Sequence, residues 1–88
     1  MIDFSYADYS WEQAARLLAI DSPAGFTGKA AAWVRDAFGG LGFDARITNK
    51  GGVLIDLGGE DASDALLLEA HTDTLGGMVR QIKGSGRL

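Results

Sequence analysis

Ala65-Leu66-Leu67-Leu68-Glu69-Ala70-His71-Thr72-Asp73 is the stretch on which the fold turns. Three consecutive leucines between alanines make a short, continuous apolar run, the pattern of a strand covered on both faces. Such a strand needs layers on either side, which places the chain in the α/β class. The run ends in a histidine. A buried strand that delivers an imidazole at its carboxyl end puts it in the crevice where open α/β sheets bind ligands.

Toward the N-terminus, two helices precede this strand. Ser10 and Gln13 match the S/T-x-x-E/Q capping box, in which each side chain satisfies an orphan backbone N–H of the other. Trp11, Ala14, Ala15 and Leu18 follow as one apolar stripe, and Asp21-Ser22-Pro23 ends the helix. A second helix starts at the N-cap candidate Thr27, runs through Ala30, Trp33, Val34, Ala37 and Phe38, and stops at Gly39-Gly40. Both tryptophans are expected to pack their helices on one sheet or on each other.

After Gly42 the period changes. Phe43, Ala45 and Ile47 alternate with polar residues, Asn49-Lys50-Gly51-Gly52 is turn chemistry, and Val53 to Leu57 reads as the returning arm of a hairpin. Gly58 to Asp64 is a polar loop. Beyond Asp73, Gly76-Gly77 breaks the pattern and Met78 to Lys83 reads as a further strand. Gly84-Ser85-Gly86 is then a turn, leading into an arm that has only begun at Arg87-Leu88. An arm of two residues cannot pair with one of six, so the sheet reads as partial and the chain as a piece of a longer domain, marginally stable alone.

The 88 residues suffice for one small domain. A content of 47% hydrophobic and 23% charged residues is that of a globular protein. Cysteine is absent, which excludes disulfide scaffolds, thiolate zinc modules and thiol nucleophiles. Eight Lys+Arg against twelve Asp+Glu leave a net charge of −4, arguing against nucleic acid or an anionic membrane as partner. Met1-Ile2-Asp3-Phe4 has neither a basic nor an apolar leader region, so the expected location is cytoplasmic.

Several patterns carry no chemistry. Gly40-Leu41-Gly42 with Ala45 has the letters of a phosphate-binding loop but sits between a helix and a strand, the reverse of the required order. No serine lies in a G-x-S-x-G elbow, and Lys83 occupies the first glycine position before Ser85. Arg80, Lys83 and Arg87 read as a solvated strand face. His71 and Asp73 are different. If the chain bends at Thr72, the carboxylate bonds one ring nitrogen, fixes the tautomer and leaves the other nitrogen free for a metal. The alternative is a histidine at a strand end whose neighbour caps a turn, and the tripeptide alone, being short and common, favours that alternative.

Read in order, the chain resembles the N-terminal portion of the M42 family metalloaminopeptidases, the glutamyl or tetrahedral aminopeptidases. The resemblance rests on the opening helix, the loop Ser22-Pro23-Ala24-Gly25-Phe26, the second helix and the hairpin around Asn49-Lys50-Gly51-Gly52. It rests above all on Ala70-His71-Thr72-Asp73-Thr74-Leu75-Gly76-Gly77-Met78-Val79, where the family shows an Ala-His-x-Asp-x-x-Gly-x-Met-Val run. The M20 peptidases share the His-x-Asp strand end but continue into a Val-Pro segment and a tryptophan, which do not follow Asp73 here. Two departures stand out. Thr74 replaces an acidic residue common in the family, and Thr27-Gly28-Lys29 replaces an acidic run, so substrate preference is not transferred.

The resemblance implies the first part of a zinc-peptidase (phosphorylase/hydrolase-like) α/β domain. Residues 1–88 would form a partial mixed sheet with two N-terminal helices, cut near the start of an inserted dimerisation domain. It implies His71 as a ligand to one of two divalent metals, zinc or cobalt, and Asp73 as the catalytic-site carboxylate that orients the imidazole. It further implies a peptide substrate trimmed at its N-terminus, and a homo-oligomer. The other ligands and the general base lie downstream in the family. The chain by itself is therefore expected to hold at most one weak metal site and to be inactive. The contrasting expectation is a stand-alone, non-catalytic α/β module acting through an uncovered sheet edge.

Overall fold

The computed structural model describes residues 4–88. In chain order the elements are α1 (Ser5–Leu18), α2 (Gly28–Gly40), β1 (Asp44–Ile47) and β2 (Val53–Asp56). Two helices and a two-stranded antiparallel sheet make the mixed α/β arrangement expected from the sequence.

The best-packed unit is α2 with the hairpin. Ala30 and Ala31 are its buried apolar residues, and Trp33, Val34, Ala37 and Phe38 are half-buried, so the apolar spacing read for this helix is the one that packs. Thr27 is the N-cap and its carbonyl accepts the Ala31 N–H at 2.9 Å, without a side-chain cap. At the other end the helix continues through Gly39-Gly40, and the left-handed residue is Gly42, at φ +92°. The Gly42 N–H donates to the Gly39 carbonyl at 3.0 Å and the Phe43 N–H to the Phe38 carbonyl at 3.1 Å, a Schellman closure. The Phe43 ring then meets the Phe38 ring edge-on, 6.4 Å between centroids. This junction turns the chain from helix into β1 and aims the hairpin back along α2.

The hairpin matches its sequence reading. Ile47 pairs with Val53 and Asp44 with Asp56. Around the loop, Gly51 N–H donates to the Thr48 carbonyl at 2.9 Å and Thr48 N–H to the Gly52 carbonyl at 2.7 Å. That is a turn followed by a glycine bulge, the usual three-residue hairpin connection. In the polar loop after β2, hydrogen bonds from the Ser63 hydroxyl and backbone N–H hold the Asp61 carboxyl below its ordinary pKa.

Four expectations are corrected. First, α1 begins at Ser5 rather than Ser10, and its N-cap Phe4 makes no side-chain cap bond. The helical spacing of apolar residues runs back from Trp11 through Ala7 to Phe4, and an Arg16–Glu12 ion pair at 2.6 Å supports the middle turn. Second, Trp11 is 79% exposed, so the tryptophans do not join the two helices. Among the named elements α1 meets only α2, and its half-buried residues are Gln13 and Leu17 rather than the Trp11–Leu18 stripe.

Third, residues 65–70 form no strand, and Leu66, Leu67 and Leu68 are exposed. A strand exists only where a neighbour takes up its N–H and C=O groups, and among the described residues none lies beside this run. Fourth, Met78 to Lys83 is likewise not a strand. Its turn does form: Gly86 N–H donates to the Lys83 carbonyl at 2.9 Å and Lys83 N–H to the Arg87 carbonyl at 2.7 Å. The result is an extended molecule, with a radius of gyration of 17.3 Å against about 12 Å for a compact domain of this length.

The two regions respond oppositely to mutation. Leu67 is 74% exposed, so Leu67→Ala changes the unfolding free energy from urea titration by no more than about 0.5 kcal/mol while lowering the fluorescence of a bound hydrophobic dye. Gly42→Ala forces a Cβ into the left-handed region and costs about 1–2 kcal/mol in the same titration.

Candidate functional site

Among the described residues, the segment that carries His71 is hydrogen-bonded to the rest of the fold at the loop after α1. Thr74 N–H donates to the Ser22 carbonyl at 2.8 Å, and Pro23 and Thr74 form an isolated parallel bridge. Ser22 Oγ donates to the Thr72 carbonyl at 2.8 Å. Ser22 is 2% exposed and is the buried polar residue of the described chain. The loop on its other side is closed by the Phe26 N–H on the Pro23 carbonyl at 2.8 Å. Sequence reading took Asp21-Ser22-Pro23 only as a helix stop. The signal for more is a small hydroxyl residue before a proline, since proline holds its neighbour extended and ready to pair.

Immediately beside this attachment, His71 and Asp73 face each other. The Nδ1 atom of His71 lies 3.0 Å from the Asp73 backbone carbonyl and 3.3 Å from Asp73 Oδ1. Both oxygens are acceptors, so the neutral ring that satisfies them carries its proton on Nδ1 and leaves the Nε2 lone pair free. The carbonyl is the nearer partner. The bend at Thr72 is thus present, and the backbone shares with the carboxylate the role the sequence reading gave to Asp73 alone. The His71 side chain is 86% exposed. An imidazole in that state is a competent donor to a metal arriving from outside.

A complete metal centre asks for more. A catalytic zinc takes about three protein ligands, and a two-metal site adds a bridging carboxylate. Among the described residues no group of three His, Cys, Asp or Glu side chains is disposed to hold an ion. Glu69 and Asp56 do not join His71; Asp56 accepts the Gly58 N–H at 2.8 Å. The residues present therefore fit one ligand with its orienting partner and do not fit a whole site.

Between this site and the loop lies an open cleft lined by Leu18, Asp21, Pro23, Phe26, Leu75 and Met78, among others. A second concavity, at the start of α2, is lined by Phe26, Lys29, Ile47 and Gly51, with the Lys29 ammonium 6.0 Å from the Phe26 ring centre. No helix among the described residues is long and apolar enough to cross a membrane.

Comparison with known proteins identifies one kind of relative. Over 72 residues, 82% of its length, the chain is 38% identical to "Putative aminopeptidase YhfE" of Bacillus subtilis (strain 168). The chain spans about a fifth of that protein, 21%. No family model matches the chain, and no solved structure matches it. The resemblance to the aminopeptidases of the M42 family, read from the sequence, is borne out by this relative.

One exposed imidazole sets the expected metal behaviour. Calorimetric titration of the 88-residue chain with zinc shows only weak binding, which His71→Ala removes. A tight, stoichiometric site below micromolar would contradict the single-ligand geometry.

Proposed function

We propose, from the premise of an aminopeptidase-like sequence, that this chain is the N-terminal segment of a metal-dependent aminopeptidase. The observation that carries the reading is the His71–Asp73 pair at the head of the matched Ala70–Val79 run, with Nδ1 engaged and Nε2 free. His71 would be a ligand to one of two divalent ions, zinc or cobalt, and Asp73 would hold the ring in its metal-binding tautomer. Such ions, when bound, acidify a water and polarise a carbonyl. The remaining donors and the general base would come from sequence outside these residues. This accords with a chain that spans 21% of its relative. The substrate is then a short peptide with a free N-terminus, the assembly a homo-oligomer, and the location cytoplasmic.

A second reading has its own support. Exposed Leu66, Leu67 and Leu68, together with a sheet of two strands among the described residues, suit a non-catalytic module that docks on a partner.

Sequencing the gene past the Leu88 codon separates the two. The peptidase reading expects an in-frame continuation supplying further Asp, Glu and His donors, and a stop codon at that point overturns it. In the protein so encoded, His71→Ala removes nearly all release of N-terminal residues and one metal equivalent. Asp73→Asn keeps part of the metal and lowers activity about 10–100-fold. Wild-type turnover with His71→Ala refutes the ligand assignment.

A further inference from the structure

We infer that Ser22 is a positioning residue for the His71–Asp73 pair, acting through the peptide groups on either side of Asp73. The inference rests on the proposed role of His71 as a metal ligand, and its geometry stands apart from that role. The Ser22 residue grips the segment twice, with Oγ on the Thr72 carbonyl at 2.8 Å and its own carbonyl on the Thr74 N–H at 2.8 Å. The two gripped groups bracket Asp73, so they fix the peptide planes before and after it. Those planes set where the Asp73 carbonyl and side chain lie, and both of these engage Nδ1 of His71. Fixing Asp73 therefore fixes the direction of the free Nε2 atom.

Three further facts agree. Ser22 is almost completely buried, so water does not compete for its hydroxyl. Pro23 forms the bridge to Thr74, which keeps Ser22 extended and aligned with the segment. A Cβ on Gly76 would lie 3.3 Å from the Pro23 Cβ, so the chain leaving the site passes close against the same proline. The carboxylate orients the histidine, and the serine orients the carboxylate from fifty residues away.

Amide exchange and histidine ring resonances in the 88-residue chain test this by nuclear magnetic resonance. In the wild type, the Thr74 amide exchanges several-fold more slowly than those of Asp73 and Leu75. Ser22→Ala brings the three rates together and shifts the His71 ring protons, while the signals of Gly28–Gly40 and of the hairpin stay in place. Ser22→Thr, which keeps a hydroxyl, restores both readouts; a purely space-filling role would not distinguish the two variants in this way. The inference is overturned if His71 is unmoved in Ser22→Ala, or if threonine fails to restore it. Should the alanine variant not fold, the wild-type rates decide, and an unprotected Thr74 amide refutes the grip. Zinc added to the same samples tests the ligand role separately. Protected Thr74 with a His71 signal indifferent to zinc upholds the grip and refutes the ligand.

Discussion

Two hydrogen bonds between Ser22 and the Thr72–Thr74 segment hold together parts of the chain that otherwise have no reason to meet. Everything from Gly28 to Asp56 is organised by local means: a helix, a Schellman closure and a three-residue hairpin loop. Local order in residues 57–88 is confined to short-range contacts: Gly58 on Asp56, the Asp61–Ser63 and Asp61–Asp64 hydrogen bonds, His71 with Asp73, and the turn at Gly84-Ser85-Gly86. Among the described residues, the long-range hydrogen bonds of that region lie at the loop between the two helices. Because the anchor sits directly beside His71, the part of the chain with the least scaffold support has its most defined geometry at the one histidine.

How much of this was legible follows from the range of the forces involved. The α2 apolar face, the hairpin and its turn residues were readable because helix capping, glycine bulges and two-residue periodicity act over a few residues. Pairing of His71 with Asp73 was readable for the same reason, a separation of two residues. Burial was not. The run Leu66–Leu68 has the composition of a covered strand, but composition states only what a segment would prefer to bury against, and no neighbour is present among residues 4–88 to bury it. Trp11 and Leu18 fail in the same way: their stripe is real, and both side chains are exposed. The Ser22 contact escaped for the opposite reason. It joins positions fifty residues apart, which no periodicity or motif connects.

Likeness to an aminopeptidase and the incomplete metal geometry are two sides of one fact. A two-metal centre draws its ligands from many strand ends of a sheet, and a segment covering 21% of a relative contains few such ends. One imidazole held by Asp73 is what this segment contains.

The Ser22 anchor also has a consequence for the order in which structure is gained and lost. Closing a loop of about fifty residues costs roughly 3 kcal/mol of chain entropy if the loop is fully flexible, and two ordinary hydrogen bonds offset about 1 kcal/mol each. Docking of the His71 segment thus stands close to balance, with the burial of Ser22 and the Pro23 contact supplying the remainder. The helix–hairpin unit, built from contacts near in sequence, forms early and independently. The histidine segment closes onto it last and opens first, as a separate cooperative unit. Any group that engages His71 then acts as a latch on that final step, so binding at the histidine and completing the fold are one event.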